Sequence, residues 1–195
     1  MIALIASGLL YGSLYSLLMS ALVLGSMRWH LEIWYEDFPD PIKARIGPMS
    51  ERAKRQRRVV APLLAVLTFG LPLVALWHIG GRLDGATGSP FLSRASVAYL
   101  ILATFHLVDL LLIDCLLGMA IDPAWLRLPG TEQGPHHWTF AKHARDFARA
   151  MAATIPVALL VAGVSLLGAP TTLLDPRTLL EGDLDRLLSA FRALS

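Results

Sequence analysis

The residues best suited to chemistry lie inside an apolar run, "FHLVDLLLIDCLL", at residues 105 to 117. His106, Asp109 and Asp114 can each take up or release a proton. On an α-helix, His106 and Asp109 share a face because they are three residues apart. Asp114 would lie about 140° round from Asp109, at about 100° per residue. The spacing therefore predicts one pair, His106 with Asp109, and a separate Asp114.

Two roles fit these three residues. Ionisable groups within a membrane span are functional candidates by default, as in proton relays and ion pathways. They can also hold helices together through hydrogen bonds, each worth about 0.6 kcal/mol on average. We weigh the two roles equally for His106 and Asp109. For Asp114 we favour hydrogen bonding, because this residue can reach the membrane interface.

A second group of candidates follows between residues 122 and 149. Glu132, His136, His137 and His143 are residue types that bind zinc or another divalent metal. Their spacing matches no established metal motif, so we favour an interfacial helix with His143 on its polar side. Glu132 is also a catalytic candidate beside the three residues of the apolar run. No Ser-His-Asp order, glycine-rich phosphate loop or HExxH is present, so the sequence predicts no particular reaction, substrate or cofactor.

The elements that must position these residues are membrane spans. The chain is 55% hydrophobic and 16% charged, a composition that excludes an ordinary soluble domain. Crossing a hydrocarbon core of about 30 Å takes about 20 apolar residues. Stretches of that length predict an all-α polytopic membrane protein with one four-helix domain over residues 1–174, its spans at about 2–27, 59–81, 95–121 and 150–174. The single cysteine, Cys115, excludes an internal disulfide.

Small residues along the first span predict close helix packing. Gly8, Gly12, Ser16 and Ser20 recur every fourth residue and form one stripe, which allows a neighbouring backbone to approach. The neighbour could be another helix of this chain or a second protomer. If every span is centred in the bilayer, Tyr15 and Ser16 lie level with His106 and Asp109, and Thr154 lies near Asp114. Pro72 predicts a kink in the second span.

The distribution of basic residues predicts the orientation. Of the 17 Lys and Arg residues, twelve lie in the first and third loops and five in the second loop and the tail. By the positive-inside rule, the first and third loops are cytoplasmic, and both termini lie on the outer side of the inner (plasma) membrane. The cluster "ERAKRQRR" is then a topology signal, or alternatively a site for anionic lipid headgroups. Acidic residues in the same loop argue against binding to nucleic acid.

The last 21 residues, 175–195, have the pattern of an amphipathic helix. Asp175 is a suitable cap, Pro176 suits the first helical position, and leucines recur on one broad face. We expect this helix to lie in the outer membrane interface, or to dock on a partner protein.

Three short motifs carry a resemblance to a family. "DFPDPIKARIG" follows the first span, the third span is acidic, and "LPGTE" comes shortly after it. In this order the chain resembles small bacterial integral membrane proteins with four spans, in which an acidic third helix leads to a PGTE-like turn. The resemblance implies no activity. It directs attention to a group formed by Asp109, Asp114, Pro129, Gly130, Thr131 and Glu132.

Two classes of function remain open from the sequence. The first is an interaction or accessory protein of the lipid bilayer, which would bind a second copy or another membrane protein through its first helix and its C-terminal helix. The alternative is a membrane-embedded enzyme or proton-coupled transporter that uses His106 and Asp109. The sequence favours the first class, because four short spans and one or two central carboxyl groups are few parts for a transporter.

Overall fold

The computed structural model describes residues 2–38, 40–83, 88–128 and 139–168. Within these ranges the chain is helical and contains no strand, which confirms the predicted all-α class. Four helices are long and apolar enough to cross a membrane: Leu4–Trp29, Glu51–Gly81, Pro90–Ile121 and Phe140–Leu167. Helices satisfy their own backbone hydrogen bonds, as a segment surrounded by lipid must. The chain is therefore a polytopic membrane protein.

The spans contain both regular and irregular helix. The described elements are α1 (Ile2–Trp29), a 3-10 helix (Leu31–Asp37), α2 (Asp40–Ile46), α3 (Glu51–Ala65), a π-turn (Val66–Gly70), α4 (Leu71–Leu83), α5 (Pro90–Val108), a π-helix (Asp109–Ile121), a 3-10 turn (Ala124–Leu126) and α6 (Phe140–Leu167). Serine hydroxyls cap two of the helices, since Ser50 accepts from the Ala53 amide at 3.2 Å and Ser89 accepts from the Leu92 amide at 3.4 Å. The second and third spans thus begin before the apolar stretches predicted from residues 59 and 95.

The third span is the central element of the bundle. It packs against α1, α4 and α6, and its Val97, Ala98 and Ile101 are fully buried. Large apolar side chains on the outer faces of all four spans are exposed, among them Leu10, Leu17, Val66, Leu111 and Leu160. Exposed apolar side chains spread over every span are suited to contact with lipid. The core and the outer surface are therefore both apolar, as expected where the solvent is a bilayer.

The small-residue stripe on α1 lies against the third span of the same chain. A Cβ added to Gly8 would come within 2.7 Å of the Leu100 Cβ, and one added to Gly12 within 2.6 Å of the Thr104 Oγ1. Ser16 is buried and donates to the carbonyl oxygen of Gly12 at 2.7 Å. Only glycine permits so close an approach at these two positions. The packing partner that the sequence left open is thus α5.

Pro72 follows a widened turn rather than a regular helix. Proline has no amide hydrogen and its ring clashes with the carbonyl four residues earlier, here that of Thr68. The π-turn at Val66–Gly70 lies at this position and lets the helix continue into α4. The second span is therefore irregular at the depth where Thr68 faces the interior.

The first and third loops lie at one end of the bundle, which we call the loop end. A small apolar cluster there joins them, consisting of Leu31, Phe38, Ile42, Leu126 and Leu128. At the same end Asp122 terminates the π-helix with a φ of 45° and forms an ion pair with Arg127. The predictions for Glu132, His136, His137, the PGTE turn and the helix over 175–195 lie outside the described residues.

Candidate functional site

The three polar residues of the third span have different surroundings, starting with His106. Its Nε2 lies 3.0 Å from the Thr154 Oγ1 on α6. The Thr154 hydroxyl donates to the carbonyl oxygen of Ala150 at 2.9 Å, so it accepts from His106 when that ring is protonated on Nε2. His106 is therefore bound to the fourth span rather than paired with Asp109.

Asp114 is also bound to the fourth span. Its Oδ2 lies 2.8 Å from the Nδ1 of His143, and the two side chains are only 16% and 9% exposed. The expectation that His143 lies on the polar side of an interfacial helix is therefore wrong, because α6 directs this side chain into the bundle. A carboxylate and an imidazole at this distance form a charge-assisted hydrogen bond when the ring is protonated.

A third polar contact joins the same two spans at the opposite end. Buried Arg94 on α5 donates to the carbonyl oxygen of Ser165 on α6 at 2.9 Å. The contacts of Arg94, His106 and Asp114 thus follow one another along the antiparallel pair. Thr154 was expected near Asp114, but it lies against His106. The reason is that α6 begins at Phe140, about ten residues before the predicted span. The middle of the helix therefore lies at an earlier residue than the apolar stretch suggested, close to Thr154.

Asp109 takes part in none of these contacts. It lines a cavity of about 430 Å³ at the loop end, together with Asp114. The sequence-based separation of these two carboxylates is wrong because it assumed α-helical winding. Residues 109–121 form a π-helix, in which hydrogen bonds join residues i and i+5, so residues five apart lie almost above one another. Both carboxylates consequently face the same space.

Apolar side chains form most of the cavity wall. They come from the first three spans and the first loop, and include Met19, Val23, Trp34, Leu64, Phe105 and Ile113. The charged residues are Asp37, Asp109, Asp114, Lys142, His143 and Asp146. An apolar cavity with a few convergent polar groups is the usual form of a small-molecule site, and such sites range over about 300–1,000 Å³.

The two basic groups of the cavity are engaged with carboxylates. Lys142 lies 2.8 Å from the Asp146 carboxylate, as His143 does from Asp114. Within the described part of the chain, Asp109 and Asp37 form no hydrogen bond and no ion pair through their carboxylates. The cavity therefore contains two carboxyl groups that no described side chain or backbone group pairs with.

Asp37 is the more accessible of these two groups. It closes the 3-10 helix of the first loop and is exposed, whereas Asp109 is half-buried. The protein around Asp37 nevertheless excludes enough water to raise the pKa of its carboxyl, and Lys142 and Arg57 oppose that rise in the pKa. We therefore place Asp37 nearer the mouth of the cavity and Asp109 deeper inside it.

The sequence did not identify Asp37, Lys142 or Trp34 as site residues. They lie in loop and interfacial segments that come together with the third span only in the folded chain. The alternation of aromatic and acidic residues in "WHLEIWYEDF" is the available signal, but the same pattern is typical of a segment at the headgroup level of a membrane. As for a metal, the described residues contain no group of three or more His, Cys, Asp or Glu side chains that could hold one.

Comparison with protein-family models, with curated proteins and with solved structures finds no match to this chain. The functional argument consequently rests on the cavity and the chemistry of the residues that line it.

Proposed function

We propose that this protein is a multi-pass protein of the inner (plasma) membrane that binds a small amphiphilic molecule in the loop-end cavity and exchanges a proton through Asp109. The activity would be that of a membrane-embedded enzyme or a proton-coupled transporter. The observation that carries the proposal is Asp109 itself, an ionisable group that faces an apolar-walled cavity and has no hydrogen bond or ion pair to the described part of the chain. Burying such a group is costly unless a proton or a ligand neutralises it.

The residues in this proposal differ from the pair suggested by spacing. His106 is bound to Thr154 and is not among the residues that line the cavity, so it serves the contact between the third and fourth spans. The groups that share the cavity with Asp109 are Asp114 and His143, which lie 2.8 Å apart and can pass a proton between them. Asp109 is thus the group that meets the ligand, and the Asp114–His143 pair is its neighbour.

An interaction or accessory role has less support from the described residues. The stripe of Gly8 and Gly12 packs against α5 within the chain, so it is not free to bind a second protomer. The other surface in that prediction, the helix over 175–195, lies outside the described residues. Binding to a further membrane protein stays a prediction.

The proposed orientation places the loop end, and with it the cavity, on the cytoplasmic side. It is supported by the basic residues of the first and third loops and by the apolar cluster that brings these loops together. Both ends of the chain would then lie on the outer side.

The proposal is tested by comparing Asp109→Asn with Asp114→Asn in detergent. Asparagine at position 109 removes a carboxyl group that has no partner among the described residues, so the thermal midpoint should stay the same or rise. Asparagine at position 114 removes the partner of buried His143, so the midpoint should fall. Thermal unfolding and size-exclusion profiles of the purified variants measure both effects. Loss of stability or altered assembly in Asp109→Asn would instead identify Asp109 as a structural residue and contradict the proposal.

A further inference from the structure

The cavity has a defined charge preference, which restricts the class of molecule it can bind. Its basic groups are already engaged, Lys142 with Asp146 and His143 with Asp114. Its two carboxyl groups without a hydrogen bond or ion pair to any described residue are Asp37 and Asp109. An anionic ligand would meet carboxylates and find its potential counter-charges occupied. A cationic ligand would neutralise the groups whose burial is otherwise costly.

Aromatic side chains supply a second and independent indication. Trp34, Phe38 and Phe105 line the same cavity as the two carboxyl groups. The indole Nε1 of Trp34 donates to the Ser26 Oγ at 2.9 Å, which holds the ring in place. Ammonium groups bind to the faces of such rings, and Trp, Tyr and Phe with carboxylates form the sites that recognise quaternary ammonium ligands.

The remaining wall is suited to an alkyl chain. Met19, Met27 and Val23 on α1, with Leu64 on α3, contribute apolar surface. Methionine is flexible and adapts to ligands of different shape. A metal ion fits poorly, because the described residues offer no group of three ligands. A molecule with one cationic head and one apolar tail is complementary to both parts of the wall, the carboxyl groups with the aromatic rings and the aliphatic side chains.

We infer that the ligand is an amphiphilic amine or quaternary ammonium compound, whose cationic head binds between Asp109, Asp37 and the aromatic rings while its tail lies against α1 and α3. This inference rests on the proposed function and specifies the ligand of the same site. A proton on Asp109 and the ammonium head compete for one carboxylate. Binding of the cation to a protonated Asp109 therefore releases one proton and leaves the charge of the site unchanged.

The test measures binding to the full chain in nanodiscs made of zwitterionic lipid, with empty nanodiscs as the measure of partition into lipid. The probes are radiolabelled decyltrimethylammonium, decanol and decyl sulfate, which share one tail and differ in the charge of the head. We expect saturable binding of the cation only. Asp109→Asn should weaken it at least tenfold, while Glu36→Gln, an exposed carboxylate outside the cavity, should leave it unchanged. Asp37→Asn provides a second cavity variant if Asp109→Asn does not fold.

The outcomes separate the ligand class from the proposed function. Equal saturable binding of decanol or decyl sulfate would overturn the preference for a cation and leave a ligand-binding cavity. Absence of saturable binding for all three probes would overturn both. Proton release, followed with a pH indicator dye, should accompany binding of the cation in the wild type and be lost in Asp109→Asn. Binding of the cation without proton release would overturn proton exchange and retain the ligand class.

Discussion

Among the polar side chains of the third span, the presence of a hydrogen-bond partner distinguishes residues that hold helices together from residues that could bind a ligand or a proton. His106 and Asp114 each contact a polar group on α6, at 3.0 Å and 2.8 Å, so the cost of burying them is offset within the fold. Asp109 has no such contact in the described chain and faces an open volume. A group that is buried without a partner costs stability, and that cost is best explained by a ligand or a proton that occupies the site in function.

Asp37 gives a prediction about pH. Its pKa is raised in the folded protein, so the folded state holds a proton that the unfolded state releases, and the stability contributed by that proton falls as the pH rises. Asp37→Asn removes this effect. We expect no gain in the thermal midpoint below about pH 3.9, the ordinary pKa of aspartate, and a gain that grows as the pH rises through the raised pKa.

The control for this experiment is Glu36→Gln. Glu36 is exposed and lies 3.7 Å from both Lys43 and Arg57, so its charge favours the folded state slightly. Its removal should produce a small loss of stability at neutral pH, opposite in sign to the Asp37 effect. A gain from Asp37→Asn that does not vary with pH would show that the carboxyl is not desolvated.

At the scale of elements, the contact between α1 and α5 depends on individual glycines. Gly12→Ala would place its Cβ 2.6 Å from the Thr104 Oγ1, and such overpacking costs about 1–3 kcal/mol. Gly25→Ala on the same helix meets nothing within 4 Å and should stabilise by up to about 1 kcal/mol through helix propensity. Thermal unfolding of both variants in detergent measures the difference. Equal midpoints would contradict the close approach of these helices.

The polar contacts between α5 and α6 make a second prediction for elements. A double-mutant cycle with His106→Ala and Thr154→Val should show a coupling energy near 0.6 kcal/mol, the average for such hydrogen bonds in membranes. A cycle that pairs His106→Ala with Gly25→Ala should be additive, since the two positions share no contact. Additivity in the first cycle as well would mean that the bond contributes nothing to helix association.

The elements also show where sequence-based inference succeeds and where it ends. Four spans follow from hydropathy because a bilayer requires long apolar helices, and Gly8 and Gly12 indicate close packing because of their regular spacing. The shared orientation of Asp109 and Asp114 depends on π-helical winding, and nothing in an apolar sequence distinguishes that winding from a regular helix. The contact of Thr154 with His106 depends on the residue at which α6 begins. That residue, Phe140, precedes the apolar stretch from which the span was predicted.

At the scale of the whole molecule, the cavity joins segments that are distant in sequence. Its wall takes residues from all four spans and from the first loop, so it exists only when the bundle is assembled. The apolar cluster of Leu31, Phe38, Ile42, Leu126 and Leu128 holds the two basic loops at the same end. The basic loops that predict the orientation and the cavity of the proposed ligand are thus features of one end of the molecule.

This arrangement predicts which face of the membrane the cavity serves. With twelve of the 17 Lys and Arg residues in the first and third loops, reporter fusions should place both termini outside and a reporter inserted after Gly47 inside. Replacement of Arg55, Arg57 and Arg58 by Gln should produce a mixture of orientations, because these exposed residues lie in the first turns of the second span, before its apolar stretch. The same triple replacement by Lys is the control and should keep the wild-type orientation. A cytoplasmic N-terminus in the wild type would reverse the topology and place the cavity, with Asp37 near its mouth, on the outer face.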